Sequence, residues 1–515
     1  MANTDKPHLP NYVSPARRKI DADLKLIDNL LDGPRAMWEA SNQPGYIRKW
    51  KDEAPEVYDL RRLGEPCFGG LDRTLTAAVG MMFRTAPVMT WNASETAMAA
   101  QWANLDGAGT HGDVFLKRFA EIALPQGLAL ILVDHPPRPV DENKQPIVIT
   151  MANEAEYNFR PLWTRYEREH IVSWQVGTVQ NRQTITQIVF SEEAETPSGF
   201  GVKCTTQYRV LRLVQGIATW SLYEPVKDNP EDIDGFRLVG SGIFRNRNGE
   251  VMRGRLPIAV AYTGRTEKPL DADMPLLPVA FANLGHWQAA TDLTFGRRVA
   301  AIEQPVVTGE LKGGIDSAGN VTPGQVRLGW LVAVHLESQG TFTWQGPSGK
   351  GLEQLAKGRD EKLVEMGQLG LSFLIPDARA AETATAKRLD KVAEHATIAT
   401  AAQGIADAAN EALELHAWYL GIEKAGAPTV ALSTDFEASG PDAPLLTAFA
   451  ALSKAGFPKQ PLVEAMQRME LVAAGADVAK IAQDWEDGEA ASNAAAADMA
   501  AINTAAGVPP VGVAA

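Results

Sequence analysis

The chain has 515 residues, 45% of them hydrophobic and 22% charged, with a formal net charge of −14. That length exceeds one hydrophobic core and calls for about two to four substructures. The acidic balance argues against a protein that grips nucleic acid by neutralising phosphates, but suits one past which nucleic acid must slide without sticking.

Two cysteines, Cys67 and Cys204, offer neither a disulfide framework nor a metal-type spacing, and point to a reducing, cytosolic setting. The first residues, up to Lys19, hold no apolar signal-type core. The most apolar run, 128–133, is far shorter than the ~20 residues that span a bilayer. No membrane segment is expected.

In chain order, the spacing predicts helices over 20–31, 56–62 and 71–83, with Asp72 as N-cap of the third and Pro87 beyond its end. Two more follow over 94–105 and 113–124, flanking the turn 106–112, with Ser94 as N-cap of the first. Residues 128–133 read as a buried strand closed by the Pro-rich 135–139. From about 160 to 260 the period becomes two, giving strands over 184–191, 205–214, 219–223 and 258–262 with polar turns over 228–235 and 246–250. Next come a helix over 276–302 (roughly 40 Å long) and short strands over 305–309, 329–334 and 341–345, around a Gly-rich loop, 312–324. A helix over 352–369, loosened by Gly358 and Gly367, and a loop around Pro376 follow.

The stretch 382–421 contains no Pro and closes on Gly421. As one helix it runs roughly 55–60 Å at 1.5 Å per residue. Its apolar stripe reads Leu389, Val392, Ala396, Ala399, Ala402, Ile405, Ala406, Ala409 and Leu413, and so many alanines allow a close neighbour. Lys387, Lys391, Glu394, Asp407 and Glu411 lie opposite. One strand (428–432), helices over 444–455, 461–473 and 478–487, and an Ala-rich tail expected to fray complete the chain.

Catalytic signals are few. Gly107-x-Gly109-x-x-Gly112 matches a dinucleotide-binding fingerprint, but that motif needs a strand running into its first glycine, and 95–105 reads as helix. The eight histidines are scattered, without a third ligand for Glu394, His395 or His416, so no zinc site is expected. Neither a Gly-x-Ser-x-Gly elbow nor a Gly-Lys-Ser/Thr phosphate loop is present. Asp134-His135 has no serine in register. The pairs Arg17-Arg18, Arg61-Arg62 and Arg297-Arg298 read as solvated or salt-bridged faces. No catalytic, cofactor or metal residue is assigned.

The order of parts is more specific than any motif. A mixed α/β region leads into a helix, a small β excursion, a returning helix, a loop, a very long helix and a terminal helical cluster. This resembles the portal proteins of tailed bacteriophages. Short stretches look like a portal-like branch long catalogued as a family of unknown function. They are Gly45–Trp50, Leu71–Thr74, Val79–Arg84, Leu105–Gly109, Gly127–Pro136, Arg160–Trp163, Ser173-Trp174, Asn283–His286, Gly346–Gly349, and Glu382–Thr385 with Leu420-Gly421. The sequence departs from that pattern in the basic turn 248–255, a compact excursion over 303–347 and a short terminal cluster.

The resemblance implies an α+β, mainly helical chain with a wing (1–275), a first stem helix (276–302), a clip (303–348), a second stem helix (349–370) and a tunnel loop (371–383). A long helix (384–421), a wing return strand (422–440), crown helices (441–490) and a flexible Ala-rich tail (491–515) follow. It further implies a ring of about twelve copies at one capsid vertex. Double-stranded DNA is pumped in through such a ring by the large terminase and leaves at infection, with a head–tail adaptor, major capsid protein and scaffold protein as further partners. The location implied is the virion, and the host cytoplasm during assembly. Ser372, Asp377, Arg379 and Lys387 are then expected to face the DNA channel, and Lys312, Asp316 and Arg327 to dock terminase or adaptor. Ala396, Ala399, Ala402 and Ile405 are expected to contact the neighbouring subunit. Alternative readings are another phage head protein, an adaptor or minor head component, and a dinucleotide-binding enzyme using 107–112.

Overall fold

The computed structural model describes residues 6–505, apart from 137–138, 140, 142–144, 146, 151–152, 155, 180, 227–234, 302–303, 309–313, 316, 318–320, 323–340, 346–349, 370–383, 435, 437–442, 469–471 and 473–475. The first elements are helices α1 (Pro15–Asp32), α2 (Pro34–Ala40), α3 (Pro55–Arg62) and α4 (Gly70–Met82). Strand β1 (Val88–Thr90), helices α5 (Glu95–Trp102) and α6 (Gly112–Gln126), and strands β2 (Leu128–Asp134) and β3 (Leu162–Glu167) follow. A run of strands comes next: β4 (Ile171–Val179), β5 (Arg182–Ser198), β6 (Gly201–Val214), β7 (Ile217–Pro225), β8 (Phe236–Ile243), β9 (Ile258–Tyr262), β10 (Thr266–Lys268) and β11 (Asp271–Ala272). Helix α7 (Leu277–Ala300) leads to β12 (Gln304–Thr308), β13 (Gly314–Ile315), β14 (Val321–Thr322) and β15 (Thr341–Gln345), then α8 (Lys350–Leu369) and α9 (Ala384–Tyr419). Strand β16 (Thr429–Ala431) and helices α10 (Ala443–Lys454), α11 (Lys459–Arg468) and α12 (Val478–Ala505) end the chain.

The chain divides into two compact units, neither continuous in sequence. The first comprises residues 1–14, 78–273 and 385–515; the second comprises 15–77 and 274–384.

The first unit is built on two antiparallel sheets. In the smaller, of order β3-β2-β9, the central strand β2 is buried along Leu128–Val133, as its unbroken apolar run requires. Helix α6 leads straight into it: Gly127, at φ 79°, ends the helix in the left-handed conformation that a side chain disfavours. The larger sheet is a five-stranded meander, β4-β5-β6-β7-β8. Its β6–β7 turn places Gln215 and Gly216 at φ 51° and 76°, the doubly positive pair that matches strand twist in a two-residue hairpin. Strands β3, β4 and β8 are not among the sequence expectations, and β5 and β6 are much longer than expected.

Helix α9 follows its expected course but buries a broader face. Ile398, Ala401, Ala402, Ile405, Ala408, Ala409, Ala412 and Leu413 are all at most 5% exposed. The alanines permit a close approach to strand β9: a Cβ on Gly404 would lie 2.0 Å from the Tyr262 carbonyl oxygen. Helix α12 runs on to Ala505. Residues 491–505 of the expected flexible tail are helical, as alanine, the strongest helix former, favours, and 506–515 lie outside the described residues.

In the second unit α7 buries Val279, Ala280, Asn283, Leu284, Trp287, Ala290, Thr291 and Leu293, the three-and-four spacing of one helical face. It packs against α8, which runs antiparallel to it. A Cβ on Gly285 would sit 3.4 Å from Lys362, and one on Gly296 would sit 3.0 Å from Leu352. Strands β12 and β15 pair antiparallel between the two helices, from Gln304↔Gln345 to Thr308↔Thr341. The expected strand 329–334 lies outside the described residues. Asp72 falls inside the first turn of α4 rather than at its cap.

Candidate functional site

The glycine turn can be judged on its hydrogen bonds. Helix α5 precedes it, so no strand enters the first glycine. Asp106 Oδ1 accepts the amides of Ala108 (2.9 Å) and Thr110 (3.2 Å), and Asn104 Oδ1 accepts that of Gly109 (2.8 Å). The loop therefore consumes the donors that a pyrophosphate would need. At the start of α6, His111 Nδ1 accepts the Asp113 amide at 3.3 Å, and the Trp102 ring comes within 2.1 Å of where a Gly112 Cβ would stand. Gly112 is thus a packing glycine under an indole, and the turn joins two helices.

In the second unit, the helix pair α7/α8 is braced by buried polar contacts. Arg61 and Glu53 side chains are each 2% exposed and pair at 2.9 Å, while Arg61 also reaches Asp292 on α7 at 3.0 Å. The guanidinium holds Glu53 below the usual carboxylate range, chiefly by hydrogen bonding, whereas burial pushes Asp292 up. Asn283 of α7 accepts the Leu71 amide at 2.9 Å and donates to the Phe68 carbonyl at 2.9 Å. Trp287 Nε1 donates to the Glu65 carbonyl at 2.9 Å. Cys67, buried beside Asn283, has its thiol pushed up to about 12 by desolvation, which makes it inert. This brace leaves apolar side chains on the outside of the pair: Phe281 is 52%, Val299 40%, Leu355 37% and Val364 38% exposed.

In the first unit, His416 of α9 is 1% exposed. Trp163 Nε1 donates to its Nδ1 at 3.1 Å, and its Nε2 lies 2.8 Å from Gln101 Oε1, which fixes the neutral ring with the proton on Nε2. Burial drives its pKa down to about 3. Beside it opens a cavity of about 1810 Å³, lined among others by Asp134, His135, Arg160, Arg165, Arg209 and Tyr419. The Arg209 guanidinium pairs with Glu192, which also accepts the Tyr166 hydroxyl. Asp134, deep in this wall, is raised to about 7 by desolvation, with Arg209 opposing. Among the described residues, the buried Tyr419 hydroxyl has no hydrogen-bond partner.

Among the described residues, Glu167, Glu169 and His170 bring ligand atoms within 4.8 Å of one another. Glu167 already accepts from Gln126, and Glu169 faces solvent, so the group reads as a solvated acidic edge.

The expected channel residues Ser372, Asp377 and Arg379, and the expected docking residues Lys312, Asp316 and Arg327, lie outside the described residues. Lys387 falls on the first turn of α9. The subunit-contact expectation needs correction. Ala402 and Ile405 are 0% exposed within their own chain, so no neighbour can touch them; Ala396 is exposed and Ala399 half-buried. The small-residue face reports closeness to β9 rather than to another copy. Arg61, read as part of a solvated or salt-bridged face, is salt-bridged to Glu53 and Asp292 but buried at the centre of the brace rather than on a face.

Residues 275–420, from α7 through α9, match the model of a domain of unknown function, DUF4055. A search of curated proteins gives no match. Among solved structures, the chain is similar to one from the virion of the native gene transfer agent (GTA) particle. The two share 12% identity, over 82% of this chain and 95% of that one, with a TM-score of 0.36. It is also similar to a chain from the neck of an empty GTA particle computed with C6 symmetry, at 12% identity, over 86% and 99% of the two chains, with a TM-score of 0.36. No helix among the described residues is long and apolar enough to cross a membrane.

Proposed function

We propose that this chain is one stave of a portal ring, a channel at a capsid vertex through which double-stranded DNA is packaged by a terminase and later ejected, and to which a head–tail adaptor attaches. One observation carries the reading: α7 and α8 form an antiparallel pair joined through short strands, and the 36-residue α9 follows. That is the stem, clip, stem and tunnel-helix order of such subunits, and it coincides with the matched segment 275–420. Helix α7, with 24 residues, is about 36 Å long, and α9 about 54 Å.

The physics of a DNA conduit fits the composition. A net charge of −14 repels phosphates, so the duplex slides rather than sticks. The apolar side chains on the outer faces of α7 and α8 supply contact surface for adjacent staves, and their dispersed spacing suits a seam repeated around a ring. Mass photometry of the purified chain tests this. The expected species is about twelve times 55.6 kDa, with a central hole in negative-stain images. A stable monomer or dimer, or closed particles without a hole, overturns the reading.

A further inference from the structure

We propose that the β5–β6 hairpin of one copy seats its tip, residues 196–202, in the cavity of a neighbouring copy. The inference rests on the ring reading and names an arm that links its staves.

The hairpin outruns its sheet. Strand β4 pairs with β5 only as far as Phe190, and β7 pairs with β6 only from Tyr208 onward. Among the described residues, no further strand is paired to the stretch from Glu192↔Gln207 to Ser198↔Gly201. This two-stranded arm extends roughly 23 Å at about 3.3 Å per residue. Residues 195–204 are all exposed; Phe200 at the tip is 114% exposed and Val202 58%. A lone two-stranded ribbon is at best marginally stable, and open strand edges invite another chain.

The cavity presents the complementary need. At about 1810 Å³ it exceeds the ~300–1,000 Å³ of small-molecule pockets and has room for a chain segment. His135 stacked on Phe159 at 4.7 Å, with the Tyr419 edge at 5.0 Å, makes an aromatic shelf for the Phe200 ring. The donors of Arg160 go to the Asn104 and Pro161 carbonyls and to Asn158, and Arg165 lies over Phe115 at 5.1 Å. Among the described residues, neither arginine has a carboxylate within ion-pair distance. Glu195 on the arm brings a carboxylate toward these guanidinium charges. The arm cannot fill its own chain's cavity: its base, Ser191–Glu193, forms part of that cavity's wall, and the tip does not line it.

The test is a cross-link between two differently labelled subunits. One carries Phe200→Cys with Cys204→Ser; the other carries Thr164→Cys, on the cavity lining, with Cys204→Ser. Cys67 is buried and unreactive in both. Co-assembled and treated with a short bis-maleimide, the mixture is expected to give a covalent dimer that neither variant gives alone, and that a Lys357→Cys control on α8 does not give. In parallel, Phe200→Ser is expected to lower the assembled fraction at least ~10-fold, with the thermal melt of the isolated subunit unchanged. Rings that form without the mixed dimer, or Phe200→Ser rings as abundant as wild type, overturn the arm while leaving the ring reading intact. Failure of the wild-type chain to assemble at all, seen by mass photometry, overturns the ring reading and the arm together.

Discussion

One methyl group at Gly404 puts the packing of α9 on β9 to a quantitative test. In a helix, Gly→Ala normally gains about 1 kcal/mol, because alanine loses less backbone freedom on folding. Here the new Cβ would stand 2.0 Å from the Tyr262 carbonyl oxygen and 3.0 Å from its carbon. Two backbones must therefore part by more than ~1 Å to reach van der Waals contact. Strand β9 cannot retreat freely, since Tyr262 is paired with Leu128 of the buried central strand. Overpacking against such a wall costs about 1–3 kcal/mol, so strain exceeds the propensity gain and Gly404→Ala is expected to destabilise. Gly358 on α8 has nothing within 4 Å of its Cβ position, and Gly358→Ala is expected to stabilise by about 0.5–1 kcal/mol. Urea denaturation followed by tryptophan fluorescence measures both midpoints. A Gly404→Ala midpoint at or above wild type refutes the close-approach account of this helix.

Removing Arg61 strands Glu53 and Asp292, so Arg61→Met is expected to cost about 3–5 kcal/mol in urea denaturation, and Arg61→Met with Glu53→Gln to recover part of the loss. Two buried groups of the first unit give opposite pH slopes. Asp134, at about 7 in the fold, holds a proton that the unfolded chain releases near 3.8, so its contribution to stability falls as pH rises through that window. Asp134→Asn is accordingly expected to raise the denaturation midpoint more at about pH 8 than at about pH 5. His416, held down to about 3, is neutral in the fold while the unfolded chain protonates near 6.5, so stability is lost as pH drops below that value. His416→Gln leaves an acceptor for Trp163 and is expected to flatten the acid limb; an unchanged limb means another group titrates there.

Local pattern made much of the fold legible. The apolar run 128–133 is the buried centre of its sheet, and the Pro-free stretch ending at Gly421 is one helix of 36 residues. What escaped was set by partners distant in sequence. The sequence could name a salt bridge for Arg61 but not its burial, because Asp292, one of its partners, lies 231 residues away. Strand β8 escapes because its burial is slight, with Leu238 and Val239 about half exposed, and an edge strand carries little alternation. The long hairpin escapes for a related reason: the outer parts of β5 and β6 bury nothing within the chain, so no apolar period marks them. Nor could a stripe of alanines say which surface it approaches, and it proved to be the chain's own β9.

The burial of α9 moves the question of assembly elsewhere. A helix that closes the core of its own unit with Ala402, Ile405, Ala409 and Leu413 cannot also offer them to a neighbour. If copies associate as proposed, their contact draws on surface that the subunit leaves uncovered. Two regions qualify on the same physical ground, that folding alone does not satisfy them. The outer faces of α7 and α8 expose Phe281, Val299, Leu355 and Val364, and the β5–β6 arm exposes Phe200 and, among the described residues, strand edges with no paired neighbour. They differ in kind. Side-chain contacts along a stem are non-directional and tolerate sliding, whereas a strand edge and an aromatic seated in a cavity fix register. On the proposed portal reading, a ring that keeps a constant number of staves under the load of DNA packaging needs the second kind as well as the first. Substituting the stem face alone, as in Leu355→Glu, should therefore weaken assembly in mass photometry without changing the copy number of the rings that remain, whereas trimming the arm should broaden the distribution of copy numbers.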